Sequence, residues 1–302
     1  MRRFFILLIL LIVLFQDFCN AQSKFWKNNR REFFFGAGAT NFLGDLGGAD
    51  QIGTNGFKDF NNPAVRPGFI NGYRYRITEA ASIKTNFIYA ILLGNDRLTK
   101  EPFRNNRNCN FRTPLVEISS QFEYAIIQER AGHIYNLKGI RGRRYNSVTY
   151  YLFGGAGVIY FNPKGKWNGK WYALRPLCTE GQDLIPARKK YSLIQPVMFL
   201  GAGFKFALSK EWTIGIEYGL RKTFTDYIDD VSKTYFDPDA LLKKKGEASV
   251  HFADPSLGLE PGQTNPGQRR GDPTDNDSYM LAFISFYYKI PNRVGYTLPK
   301  FR

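Results

Sequence analysis

Along much of the chain, hydrophobic residues fall on every second position, the period of a strand with one apolar face. Between Trp212 and Phe224, Trp212, Ile214, Ile216, Tyr218 and Leu220 share one face, while Thr213, Gly215, Glu217, Gly219, Arg221 and Thr223 share the other. Leu115 to Ile126 repeats the pattern, with Val116, Ile118, Phe122, Tyr124 and Ile126 opposing Glu117, Ser119, Gln121 and Glu123. In Ala81 to Ile91, Ile83, Phe87, Tyr89 and Ile91 oppose Ser82, Lys84 and Asn86. Five further segments alternate less cleanly: Glu32–Asn41, Phe69–Ile77, Val148–Tyr160, Val197–Ala207 and Ser278–Lys289. Each is close to the length of about 9–11 residues with which a tilted strand crosses a bilayer.

A soluble β-sandwich alternates too, so the character of the polar face decides. Here it mixes glycines (Gly36, Gly38, Gly72, Gly155, Gly157, Gly201, Gly203) with Arg74, Arg76, Lys84, Glu117, Glu123, Lys205, Glu217 and Arg221. Small residues and charges of both signs suit a narrow barrel lumen filled by side chains that pair across it. The reverse register would put these charges into lipid, at about 2–4 kcal/mol for each Arg or Lys near the midplane. The pattern predicts an all-β protein: an antiparallel transmembrane β-barrel of about eight strands. Its aromatic-rich face meets lipid, with Tyr160, Trp212 and Tyr288 near the interfaces.

Connection lengths support this topology. Thr78–Ala80 and Leu208–Glu211 are tight, whereas Phe42–Ala64, Leu92–Pro114, Phe161–Pro196 and Thr225–Asn276 are long, as expected for short periplasmic turns and long outward loops with both termini periplasmic. Gln128–Asn146 departs from the rule by being a long connection on the short-turn side. It carries Arg130, Lys138, Arg141, Arg143 and Arg144. The segment before the first strand adds Lys24, Lys27, Arg30 and Arg31, and the tail adds Arg293, Lys300 and Arg302. The periplasmic rim is therefore expected to be strongly basic, either as solvated charge beside anionic lipid or as a docking surface for an acidic partner.

Ahead of the strands, Arg2 and Arg3 precede an almost wholly apolar Phe4–Phe15, and Cys19-Asn20-Ala21 places small residues before Gln22. That is the pattern of a secretory signal peptide over 1–21, leaving 22–302 as the barrel domain. The net charge of +16 would suggest nucleic acid in a cytosolic protein; export makes lipid headgroups or an acidic protein the better partners. Cys109 and Cys178 fall in neighbouring outward loops. In an oxidising compartment they are candidates for a disulfide, the alternative being two unpaired loop thiols.

Three stretches resemble a known family. They are Glu32-Phe33-Phe34-Phe35-Gly36-Ala37-Gly38-Ala39-Thr40-Asn41-Phe42-Leu43-Gly44-Asp45-Leu46, Phe224-Thr225-Asp226-Tyr227-Ile228-Asp229-Asp230-Val231-Ser232-Lys233-Thr234-Tyr235, and Arg269-Arg270-Gly271-Asp272-Pro273-Thr274-Asp275-Asn276-Asp277-Ser278-Tyr279. They are similar to the PorG-like outer-membrane barrels of Bacteroidota, although Phe42 stands where that pattern has Tyr and Ser278 where an aromatic is usual. The resemblance implies a component of the type IX secretion and gliding-associated machinery. In that role the barrel ties a periplasmic ring of PorK-like (GldK-like) lipoprotein and PorN-like (GldN-like) subunits to the outer membrane.

Chemistry finds little footing in the sequence. His133 and His251 are far apart, with no metal-ligand spacing, no G-x-S-x-G elbow and no phosphate loop. The reading is of a protein that is no enzyme and has no cofactor or metal. Asp226, Asp229, Asp230, Asp237 and Asp239 do form an acidic cluster, but without the spacing of a calcium loop. It is expected to fold through Arg269 and Arg270. The rival to the secretion role is a surface barrel whose long loops mediate adhesion or ligand interaction. A small-solute channel is disfavoured by a filled lumen.

Overall fold

Eight long strands close on one another in the computed structural model, which describes residues 25–47, 62–129 and 148–291. In chain order the strands are β1 (Arg31–Leu43), β2 (Arg66–Arg76), β3 (Ala81–Asn95), β4 (Asn110–Ile127), β5 (Val148–Phe161), the short β6 (Lys164–Trp167) and β7 (Lys170–Ala173), then β8 (Ile194–Ala207), β9 (Trp212–Thr223) and β10 (Ser278–Ile290). Each barrel strand pairs antiparallel with its chain neighbours, β5 pairs with β8, and β1 pairs with β10 from Arg31↔Ile290 to Leu43↔Ser278. The fold is a closed, eight-stranded, up-and-down antiparallel β-barrel. Closure leaves no barrel edge for another chain to pair with.

Every strand predicted from alternation is present; most extend beyond the predicted bounds, while β2 and β9 each stop one residue short, at Arg76 and Thr223. The burial pattern is the inverse of a soluble protein's: Leu200 is 68% exposed on the outer wall, whereas Lys84 is 0% exposed inside. Phe33, Phe69, Phe87, Ile118, Phe122, Tyr160 and Ile216 also face outward. An apolar belt on a closed barrel is built to contact acyl chains, and backbone groups satisfied strand to strand can cross a membrane. Trp212 and Tyr288 sit together on this wall with ring centroids 5.0 Å apart.

Both described chain ends lie at one end of the barrel, called here the terminal end. The tight connections after β2 and β8 lie there too, closed by Thr78 N–H donating to the Ala81 carbonyl (3.1 Å) and Ser209 N–H to that of Trp212 (3.0 Å). The long connections form a crown at the opposite, loop end. The predicted leader, Lys24, Arg130, Lys138, Arg141, Arg143, Arg144, Arg293, Lys300, Arg302 and His133 lie outside the described residues.

The crown holds structure that alternation does not reveal. β6 and β7 form a hairpin around Asn168 (φ 47°) and Gly169 (φ 77°), left-handed conformations that suit an Asn-Gly turn. Three helices join it: α1 (Pro102–Arg107), α2 (Pro238–Lys245) and α3 (Glu247–Ala253). Glu101 caps α1 by accepting from the N–H groups of Phe103 and Arg104. Asp237 caps α2 through Asp239 N–H, with Pro238 in its first turn and three lysines in its last.

Candidate functional site

The alternating polar face delivers its charges into one connected network. Arg74, on β2, donates to Glu32 on β1 (3.0 Å) and to Glu123 on β4 (2.6 Å). Lys205 on β8 lies 3.1 Å from Glu123, Lys84 on β3 lies 2.6 Å from Glu217 on β9, and Arg221 on β9 lies 3.1 Å from Glu117 on β4. Arg76 reaches Glu32 at 3.0 Å. All eight lumen charges named from the sequence therefore point inward and find carboxylate or basic partners.

The sequence reading missed part of this network. Glu32 belongs to it, and Glu129, just beyond β4, accepts from Lys289 at 2.9 Å. Tyr151 and Tyr287 donate hydroxyls to Glu217 (2.6 and 3.0 Å), and Tyr279 donates to Glu117 (2.8 Å). Strand parity already placed these tyrosines on the polar side; what hid them was counting aromatics as lipid-facing. Towards the loop end the interior becomes apolar, with Phe42, Phe111, Leu115, Phe161 and Val197 buried together. Buried ion pairs below and packed rings above close the lumen.

At the terminal end, a short helical turn (Phe25–Asn28) tucks in Trp26, which is buried. The Arg30 guanidinium stacks 4.6 Å from its ring centroid, with Lys27 Nζ at 5.7 Å. Arg30 also donates to the Tyr75 hydroxyl (3.4 Å), while Lys27 and Arg31 are exposed. These three are the only residues of the predicted basic rim among the described residues, and they cluster.

The crown gathers acids differently from the sequence expectation. Asp237 and Asp239 stay at the start of α2 and do not join the cluster. Asp226, Asp229 and Asp230 are buried, in the company of Asp45 and Asp277, which the sequence reading had not grouped with them. Leu46 N–H donates to Asp229 (3.1 Å), Asp272 N–H to Asp45 (2.9 Å) and Ile228 N–H to Asp277 (2.8 Å). Thr179 and Tyr191 hydroxyls both donate to Asp230 at 2.6 Å. Arg270 is buried, donating to Glu180 (3.1 Å) and to the carbonyls of Asp230 (2.7 Å) and Phe252 (3.0 Å), whereas Arg269 pairs with Asp272 at the surface. Arg107 makes a two-pronged contact with Asp96 and reaches the carbonyls of Asp45 and Arg270.

Burial and mutual repulsion push these acids up. The Asp226 carboxyl rises to about 10, first through burial and then through Asp45 and Asp229. Asp45 and Asp230 each rise to about 6 through burial, opposed by Arg107 and Arg270 respectively. Such groups hold protons at neutral pH or close to it.

Cys109 and Cys178 correct the expected disulfide: both are free and buried. Burial pushes the Cys109 thiol up to about 11, which removes the thiolate that disulfide exchange requires. The Cys178 thiol instead faces the carbonyls of Arg175 and Pro176, at 3.8 and 3.6 Å.

Among solved structures, the chain is similar to the attachment invasion locus protein Ail of Yersinia pestis (9% identity, 87% of this chain and 99% of that one, TM-score 0.37). It is also similar to OprG of Pseudomonas aeruginosa (9%, 87% and 98%, TM-score 0.36) and to Neisserial surface protein A (10%, 85% and 97%, TM-score 0.34). No curated protein matches the chain. The model of a family described as a domain of unknown function, DUF6089, matches residues 2–237, which include all the barrel strands but the last, and the chain belongs to that family.

Proposed function

We propose that the chain is a bacterial outer-membrane component of the type IX secretion machinery, anchoring a periplasmic ring of PorK-like (GldK-like) lipoprotein and PorN-like (GldN-like) subunits. One observation supports this above the rest: the three stretches that resemble PorG-like barrels, far apart in sequence, meet in one structural unit. Leu46 binds Asp229, Asp45 binds Asp272, and Arg270 binds the carbonyl of Asp230. Residues that resemble one family in three places also depend on one another physically. The closed lumen leaves the protein its surfaces to work with, and in this reading the terminal end faces the periplasm. There Lys27, Arg30 and Arg31 offer cations to an acidic ring subunit.

Deleting the gene is the first test. The reading expects secretion or gliding to fail while the outer membrane stays intact. A crosslinkable thiol at Asn136→Cys is expected to capture a ring subunit; normal secretion in the deletion strain would overturn the role.

A second reading, adhesion or ligand binding by the outward loops, draws on the exposure of Leu257 (50%) and Leu259 (63%) beside α1, above the lipid belt. It predicts lost surface attachment with secretion unchanged.

A further inference from the structure

Near the loop end, the lipid-facing side of β4 carries a cation. Its outward residues from Pro114 to Ile126 are almost all apolar, including Val116, Ile118, Phe122 and Tyr124. At roughly 3.3 Å per residue and a tilt of about 40°, that stretch covers about 30 Å along the membrane normal. This is the thickness of a hydrocarbon core. Arg112, the next residue on the same face, stands at the outward interface.

Arg112 is the register partner of Lys164 on β6. Residues directly opposite in an antiparallel ladder share a face, and like charges so placed repel. On β6 the next residue of that face is Lys166, which opposes Trp171 on β7. Trp171 is 43% exposed, and the Arg112 guanidinium sits 5.7 Å from its ring centroid. The hairpin's other face is committed to packing, with Trp167 and Tyr172 against Phe252 and Trp167 stacked on His251.

No acid of the hairpin relieves the repulsion. Residues 162–175 contain four cations and no Asp or Glu. Among the described residues, no carboxylate lies within ion-pair distance of Arg112, Lys164 or Lys166, although nearly every lumen cation has one. Lys222, another outward cation on the lipid-facing wall, is already paired with Asp275 at 2.8 Å.

We propose that Arg112, Lys164 and Lys166, with Trp171 as a side wall, bind the phosphorylated headgroup of an outer-leaflet lipid. A guanidinium takes phosphate oxygens in two-pronged fashion, lysines add point charge, and Trp is at home where acyl chains give way to headgroups. The occupant is a lipid rather than a soluble glycan because the cations continue the wall that meets acyl chains, starting with Arg112 directly beyond the apolar belt and going on to Lys164 and Lys166 on the hairpin. The inference rests on membrane insertion with the loop end outward, and it is independent of the anchoring role.

The test uses the folded mature chain in uncharged detergent and diphosphorylated lipid A as probe, read by native mass spectrometry. Wild type is expected to retain the lipid. Each cation removed weakens binding on the order of fivefold, so that R112Q/K164Q/K166Q loses on the order of a hundredfold. K222Q, which removes a cation already neutralised, is expected to bind as wild type. K166E, at an exposed position of the hairpin, serves as a second variant should the triple one not fold; it too is expected to weaken binding. Heat-dependent gel migration establishes separately that each variant is a closed barrel, so failure of the site and failure of the barrel are distinguishable. Unchanged lipid A binding by a folded K166E or triple variant would overturn the proposal. Equal competition by free inorganic phosphate, or capture of a soluble anionic polysaccharide in place of lipid A, would do the same.

Discussion

Lys84 Nζ lies 2.6 Å from Glu217 Oε2 across the barrel interior, joining β3 to a strand that is not its neighbour. Glu217 also accepts the hydroxyls of Tyr151 and Tyr287, so three side chains converge on one carboxylate. Removing one partner of such a buried pair strands a charge, at a cost of about 3–5 kcal/mol. Lys84→Met is expected to destabilise the barrel by that amount in urea unfolding from phospholipid vesicles. Adding Glu217→Gln to the same chain should restore most of the loss. If the double variant is as unstable as the single one, the pair is not the coupling described.

Glycines test the distinction between the two walls. A Cβ at Gly203 would run into the ring of Tyr151, displacing the hydroxyl that serves Glu217. Gly154 faces lipid, and a Cβ there meets only the Phe199 carbonyl at 3.6 Å. Gly203→Val is expected to cost about 1–3 kcal/mol, while Gly154→Ala is tolerated or stabilising by about 0.4–1 kcal/mol. The same vesicle unfolding assay reads both.

The crown should respond to pH. Asp45 and Asp230 titrate near 6 in the folded loops against an ordinary 3.8, and Asp226 near 10. Between the unfolded and folded values the native crown holds protons that the open loops do not, so stability falls as pH rises. It is fully present below about pH 4 and declines through about pH 6, with Asp226 extending the loss towards pH 10; Arg107 and Arg270 limit it. Limited proteolysis of the crown loops is expected to be slower at pH 5 than at pH 8, with the barrel intact at both. Faster cleavage at pH 5 would contradict the assignment.

The two cysteines should remain thiols. Mature protein purified without reductant is expected to migrate identically on reducing and non-reducing gels, and maleimide should label Cys109 and Cys178 only after unfolding. Rapid labelling of the folded chain would show that the crown does not bury them.

The strands were legible because a barrel in lipid imposes one rule on every second residue. Trp212 to Leu220 and Glu217 to Arg221 announce opposite walls wherever they are read. The rule also explained which charges face inward, since an arginine such as Arg74 has no tolerable place outside. It lost Tyr151, Tyr279 and Tyr287, whose rings satisfy an apolar pattern while their hydroxyls serve carboxylates. The crown obeys no period. Its helices were signalled locally by Glu101-Pro102 and Asp237-Pro238, and its hairpin by Asn168-Gly169. The meeting of Asp45 with Asp226 depends on loop closure over some 180 residues, which spacing does not encode.

The orientation of the two walls is tested most directly by nitroxide labels placed at Leu200→Cys and Ile185→Cys in chains reconstituted into phospholipid vesicles. Collision with oxygen, which concentrates in acyl chains, is compared with collision with a water-soluble nickel chelate. The label at Leu200, on the outer wall of β8, is expected to meet oxygen and not nickel, and that at Ile185, in the crown, to show the reverse. A Leu200 label that nickel reaches as freely as it reaches Ile185 would mean that the aromatic wall faces water, and the membrane barrel described here would be wrong.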